Sequence, residues 1–121
     1  MLRPSLQPVL MAGHYFGVVD WTWWPHLSGA AVYLFTRNNA LTGAAPIYAG
    51  ETGEMAGYLG YDHKKWSRAL GLGMTHILVH YESSRPKRLQ IETELRRVLR
   101  PPLNEQLPSL AELLLERNYP T

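Results

Sequence analysis

Two β-forming runs, Ala31-Val32-Tyr33-Leu34-Phe35-Thr36 and Pro46-Ile47-Tyr48-Ala49-Gly50, constrain this chain more than any other feature. Their β-branched and aromatic residues fit a pleated, half-buried surface. A proline is tolerated at the first residue of a strand. The polar, glycine-containing connector Arg37 to Ala45 makes the pair a hairpin with a long loop. The segment after the second run cannot be a regular helix throughout, because Glu51 to Asp62 contains Gly53, Gly57 and Gly60. Each interior glycine costs a helix about 1 kcal/mol, so a short or irregular helix is expected there. His63 to Leu70 is a better helix, stopped by Gly71 and Gly73. Thr75 to Tyr81 reads as a third strand. Ser84 and Pro86 open a long helix that must end before Pro101-Pro102. Ser109 and Glu112 form a capping-box pattern for a last helix, Leu110 to Arg117. The expected fold is α/β (α+β): a small three-stranded, mostly antiparallel sheet flanked by helices, in the order β-β-α-(α)-β-α-α.

At 121 residues the chain suits one domain. Residues 1–28 form a lead-in with a candidate extra strand at His14 to Asp20 and a Trp-rich cap at Trp21, Trp23 and Trp24. Those rings serve either as a lid on the core or as a platform for stacked bases. Residues 29–106 form the main body, and 107–121 supply a C-terminal helix packed on it. The absence of cysteine excludes a disulfide framework, a zinc-thiolate site and a cysteine nucleophile. The proline-broken N-terminus lacks a secretory apolar run, and no segment approaches about 20 apolar residues. A cytoplasmic protein without membrane contact is the expectation. The oligomeric state is not legible.

The net charge of +2 conceals an uneven distribution. Between Lys64 and Arg100 stand nine Lys or Arg and three acids, while the rest of the chain is net acidic. Concentrated positive charge suits a polyanionic partner, because each neutralised phosphate releases a counterion. Solvated helix faces would produce the same count.

One carboxylate is out of place. On a helical wheel, Ile91, Leu95, Val98 and Leu99 form an apolar stripe, and Glu92 projects within its flank between Leu99 and Leu89. Glu94 falls on the polar side. A carboxylate among apolar neighbours loses solvation. It needs a metal ion, a hydrogen-bond network or an ion pair, unless it escapes to water at the edge of the stripe.

Several segments in consistent order resemble the GIY-YIG nucleases. Ala31-Val32-Tyr33 and Tyr48-Ala49-Gly50 occupy the two tripeptide motifs, and Pro46 to Thr52 is similar to the PLYVGET form of small bacterial members. His63-Lys64-Lys65-Trp66 and Gly73-Met74-Thr75-His76 resemble the family's H-x-K-W and GATHV stretches. Pro101-Pro102-Leu103-Asn104-Glu105-Gln106 resembles its PPLNEQ ending. The match spans residues 29 to 106. It implies a metal-dependent endonuclease hydrolysing phosphodiester bonds of nucleic acid, with DNA the expected substrate. Glu92 would bind one Mg2+ or Mn2+. Tyr33 would help activate the attacking water, Tyr48 would position the cluster, and His63 would carry a proton or contact a phosphate. Asn104 would orient its helix or touch the phosphate. Arg37, Lys64, Lys65, Arg68, Arg88 and Arg96 are the candidate nucleic-acid contacts.

The chain departs from the family at one important position. The family places an arginine on the segment after the second motif, and Tyr58 stands there instead. No Lys or Arg occurs between Arg37 and Lys64. Losing one such charge-stabilising donor typically costs about 100- to 1,000-fold in rate. Lys64, Lys65 or Arg37 would then substitute for it, or turnover would be slow, or the domain would bind without cutting. An inactive nucleic-acid-binding or protein-interaction module, the latter docking through Trp21–Trp24 and the Leu110–Leu115 helix, is the alternative function.

Overall fold

The computed structural model describes residues 8–41 and 43–105. Five strands are present: β1 (Val9–Met11), β2 (His14–Asp20), β3 (Ala31–Asn39), β4 (Gly43–Thr52) and β5 (His76–Tyr81). They form one antiparallel sheet in the order β1-β2-β5-β3-β4. Helices α1 (Trp66–Gly71), α2 (Arg85–Leu99) and α3 (Pro102–Glu105) complete the described chain, with a 3-10 helix at Trp21–His26. The C-terminal helix expected at Leu110 to Arg117 lies outside the described residues. Among the described residues no helix is long and apolar enough to cross a membrane.

The three-stranded sheet expected from the sequence is therefore wrong. The candidate strand at His14 to Asp20 is a full member that pairs with β5, and β1 adds a further edge. The β1–β2 turn runs through Ala12 and Gly13 with φ of 48° and 83°. A two-residue hairpin turn of type I′ needs positive φ at both positions. Alanine rarely supplies it, so the sequence carried no turn signal there. The β3–β4 hairpin is also longer and tighter than expected, with its ladder reaching Asn39 opposite Gly43. Its register slips once between Phe35 and Thr36, where Pro46 faces Thr36. An extra residue at such a bulge accommodates a proline that cannot join the ladder.

The segment expected as an irregular helix is a series of turns. Met55 N–H bonds Gly29 C=O at 3.0 Å, and Leu59 N–H bonds Met55 C=O at 3.1 Å. Gly60 has φ of 108°, and a Cβ there would stand 2.7 Å from the Trp24 ring. That close approach lets Trp24 lie against the turn. Trp21 and Trp24 meet the buried Trp66 edge-on. All three lead-in tryptophans pack on the core as a lid.

Side chains alternate between the two faces of each strand. Val32 and Leu34 of β3 face α2, where Ile91 and Leu95 are buried with Phe16 and Leu78. Tyr33 and Phe35 face the other way, toward Trp66, Met55 and the tryptophan lid. Helix α2 begins behind Ser84, whose Oγ accepts from Lys87 N–H at 3.4 Å. It ends at Arg100, in a left-handed conformation just ahead of Pro101. The expected stripe is corrected in two places. Val98 is exposed, and Arg88 is buried beside Ile91 and Leu95.

Candidate active site

The edge strand β4 is where the two layers meet. Its Tyr48, Gly50 and Glu51 line an open cleft of about 410 Å³. Helix α2 contributes Glu92 and Arg96 from one side of the sheet. Tyr58, Lys64 and Lys65 come from the turns before α1, and Leu103 and Asn104 come from α3. The cleft thus wraps the sheet edge.

Tyr33 is completely buried beneath this cleft and does not line it. Its Oη lies 2.7 Å from His63 Nε2. His63 Nδ1 accepts from Lys65 N–H at 3.0 Å. A neutral imidazole has one acceptor nitrogen and one donor nitrogen. Nδ1 is therefore the acceptor, and Nε2–H donates to Tyr33 Oη. Burial, followed by Lys64 and Lys65, lowers the His63 pKa to about 4, so the ring stays neutral at ordinary pH. Burial and then the charges of Tyr48 and Tyr58 push the Tyr33 phenol far above its usual range. The Tyr48 phenol is pushed up to about 12, again chiefly by burial. Neither tyrosine is poised as a phenolate base in this arrangement.

Gly50 makes room for Tyr33. The two residues are cross-strand partners on the same face. A Cβ at Gly50 would collide with Tyr33 Oη and Cζ. Gly50→Ala should therefore destabilise the fold by about 1–3 kcal/mol, the usual cost of overpacking. The loss would appear as a lower urea midpoint and an altered near-ultraviolet tyrosine signal. An unchanged midpoint would show that Tyr33 can retreat.

His63 also gives the fold a pH dependence. Its folded pKa lies below the unfolded value of 6.5. Above pH 6.5 both states are neutral and the group has no effect. As pH falls from 6.5 toward 4, the unfolded chain takes up the proton first, and stability drops. A shift of this size amounts to about 3 kcal/mol at about 1.4 kcal/mol per unit. His63→Gln should flatten that part of the stability–pH curve relative to wild type, and parallel curves would contradict this.

The carboxylates are arranged unequally. Glu92 keeps 19% side-chain exposure and meets Arg96 Nη1 at 3.5 Å. Desolvation raises its pKa, Arg96 opposes that, and Glu51 reinforces it. Glu51 bonds Arg88 Nε at 2.9 Å. Arg88 Nη1 also donates to the carbonyls of Glu82 and Ser83. At 5% exposure, Arg88 is a buried structural cation, which corrects its placement among the nucleic-acid contacts. Its Nε and Nη1 are committed to partners inside the protein.

The other expected residues divide by position. Lys64, Lys65 and Arg96 share the cleft with Glu92. Among the described residues neither lysine has a carboxylate within ion-pair distance. Arg37 packs against Gly73, and Arg68 lines a separate apolar depression with Leu72 and Pro102. Neither reaches the cleft. Asn104 accepts from Ala49 N–H at 2.7 Å and donates to Ala49 C=O at 2.9 Å. It pairs with the edge strand as another strand would, which fixes α3 and leaves it little capacity for a phosphate. Sequence reasoning missed Glu51 and Tyr58 as cleft residues. The signal for Glu51 was Arg88, which lies three residues before Ile91 and seven before Leu95 and so required a buried partner.

Among the described residues no group of three or more His, Cys, Asp or Glu stands together to hold a metal. The donor set fits a hard ion that keeps most of its own waters, because one desolvated carboxylate faces an open polar cleft. No family model, curated protein or solved structure matches the chain.

Proposed function

We propose that this chain is a metal-dependent phosphodiester hydrolase of the GIY-YIG type acting on nucleic acid, with DNA the first substrate to test. The observation that carries the reading is the shared cleft. Glu92, a carboxylate held partly out of water, stands in one polar groove with Lys64, Lys65 and Arg96. Glu92 would hold Mg2+ or Mn2+ with a substrate phosphate and waters filling the oxygen shell. Such an ion supplies Lewis-acid polarisation of the phosphate and charge compensation at the leaving oxygen. Lys64 and Lys65 would hold the flanking backbone charge. Hydrolysis adds water to phosphorus, breaks the P–O bond to the leaving strand and returns a proton to the leaving oxygen.

The test is incubation of supercoiled plasmid, branched DNA and structured RNA with the protein and Mg2+ or Mn2+. Nicking that chelation stops is expected. Intact nucleic acid under every condition would refute the enzyme reading.

A second reading is favoured by one observation. Tyr58 occupies the position where the family carries arginine, and the cleft's own Arg96 is engaged with Glu92. On this reading the domain binds without cutting. Affinity should then fall steeply with salt, and a flat response between low and high salt would exclude it.

A further inference from the structure

We propose that Tyr58, not Tyr33, is the phenol that meets the substrate, donating a hydrogen bond to a phosphate oxygen, and that Tyr33 and His63 are buried residues that position it. The proposal rests on the phosphodiesterase reading of the cleft. Tyr33 is 0% exposed, with its hydroxyl against Gly50, and does not line the cleft, so a phosphate resting there does not reach it in this arrangement. Tyr58 lines the cleft and is 41% exposed.

The hydrogen bonds run in one direction. Lys65 N–H donates to His63 Nδ1. His63 Nε2–H donates to Tyr33 Oη. Tyr33 Oη thus has an acceptor site filled and its own proton still to give. The Tyr58 ring stands edge-on to both, with centroids 6.3 Å from Tyr33 and 5.3 Å from His63. The charges of Tyr48 and Tyr58 both raise the Tyr33 pKa, so both phenols crowd its hydroxyl. In the proposed working arrangement the Tyr33 hydroxyl turns its proton to Tyr58 Oη, which leaves the Tyr58 proton for the phosphate. A turn fixes the Tyr58 backbone, whose N–H donates to Met55 C=O at 3.0 Å. A neutral donor aimed at a phosphate oxygen does part of what a cation would do there.

The experiment has two arms. Tyr58→Phe, Tyr33→Phe, His63→Gln and His63→Ala are compared with wild type in single-turnover cleavage with Mg2+. Separately, protein labelled with 13C at tyrosine Cζ is titrated with a short DNA duplex in Ca2+. Tyr58→Phe is expected to lower the saturating single-turnover rate constant about 100-fold, with the half-saturating protein concentration within threefold of wild type. Tyr33→Phe should lose about tenfold and move the Tyr58 resonance before DNA is added. His63→Gln, which retains an N–H donor, should recover much of what His63→Ala loses. The duplex should shift Tyr58 and leave Tyr33 in place. Cleavage by Tyr58→Phe within threefold of wild type, or a duplex that shifts Tyr33 but not Tyr58, would overturn the proposal. If wild-type protein binds duplex without cutting it, the nuclease reading fails on its own. The labelled titration then decides the Tyr58 contact, with a Tyr58 shift upholding it and no shift ending it. A protein that neither binds nor cuts refutes both.

Discussion

Glu92→Gln should abolish metal-dependent cleavage, by about 1,000-fold or more, while raising the melting temperature at neutral pH. The two effects have one cause. Glu92 is desolvated on the flank of α2 and feels the charge of Glu51, so its ionised form is less favourable folded than unfolded. A side chain retained at such a cost is a candidate for function rather than stability. The neutral amide keeps the shape, removes the repulsion and lets Arg96, already half exposed, return to water. It also removes the hard anionic ligand that a bound Mg2+ or Mn2+ would need. The sign comes from linkage. Glu92 has a raised folded pKa, so its ionisation destabilises the fold above that pKa, and the burden lifts as pH falls through it. The stability gain of Glu92→Gln should therefore shrink as pH falls through the folded pKa toward 4.5, the unfolded value, and be gone below it. Enzyme activity is measured by plasmid nicking, stability by thermal melts across pH. A Gln variant that still cuts would remove Glu92 from the metal site. One that cuts poorly and also melts lower would make the residue structural.

Much of this arrangement was legible in the sequence, and what was not has physical reasons. Helix α2 announced both ends, because Ser84 caps it and Pro101-Pro102 forbids continuation. The wheel separated Glu92 from Glu94 because the direction of a helical residue sets which layer it faces, and their side chains are 19% and 43% exposed. The β3–β4 hairpin was visible in its β-branched and aromatic residues, but its extent was not. Ladder length depends on pairing across the loop, and Thr36 and Pro46 hide a bulge. Strand β1 was invisible because Val9–Met11 is too short to show alternation and its turn uses Ala12 at positive φ.

Cleft membership was harder still. Tyr33 and Tyr48 both carry motif positions, yet one is sealed beneath Gly50 and the other lines the groove. Sequence spacing places residues on a strand face but does not say what covers that face. Arg68 and Lys65 are three positions apart and open onto different depressions. In the sequence, the basic stretch from Lys64 to Arg100 reads as one electropositive surface. The fold divides it into cleft cations, outer cations and one buried structural cation.

That last division gives the largest expected effect on stability. Arg88→Ala should cost about 3–5 kcal/mol, the range for removing one partner of a buried ion pair. Three groups lose their donor together: Glu51 Oε2 and the carbonyls of Glu82 and Ser83. The two carbonyls sit where β5 hands over to α2, and Glu51 sits at the end of β4, so one guanidinium ties the helix to the sheet edge that bears the cleft. Arg88→Lys should rescue little, since an ammonium lacks the planar fork that serves a carboxylate and two carbonyls at once. The double variant Arg88→Met/Glu51→Gln should recover part of the loss by leaving no charge unpaired. Lys64→Ala is the informative contrast. It should leave the urea midpoint within about 0.5 kcal/mol of wild type and reduce the salt slope of DNA binding by about one. If Arg88→Ala instead keeps its midpoint and lowers DNA affinity, Arg88 leaves the core to bind phosphate, and its assignment as a structural cation is wrong.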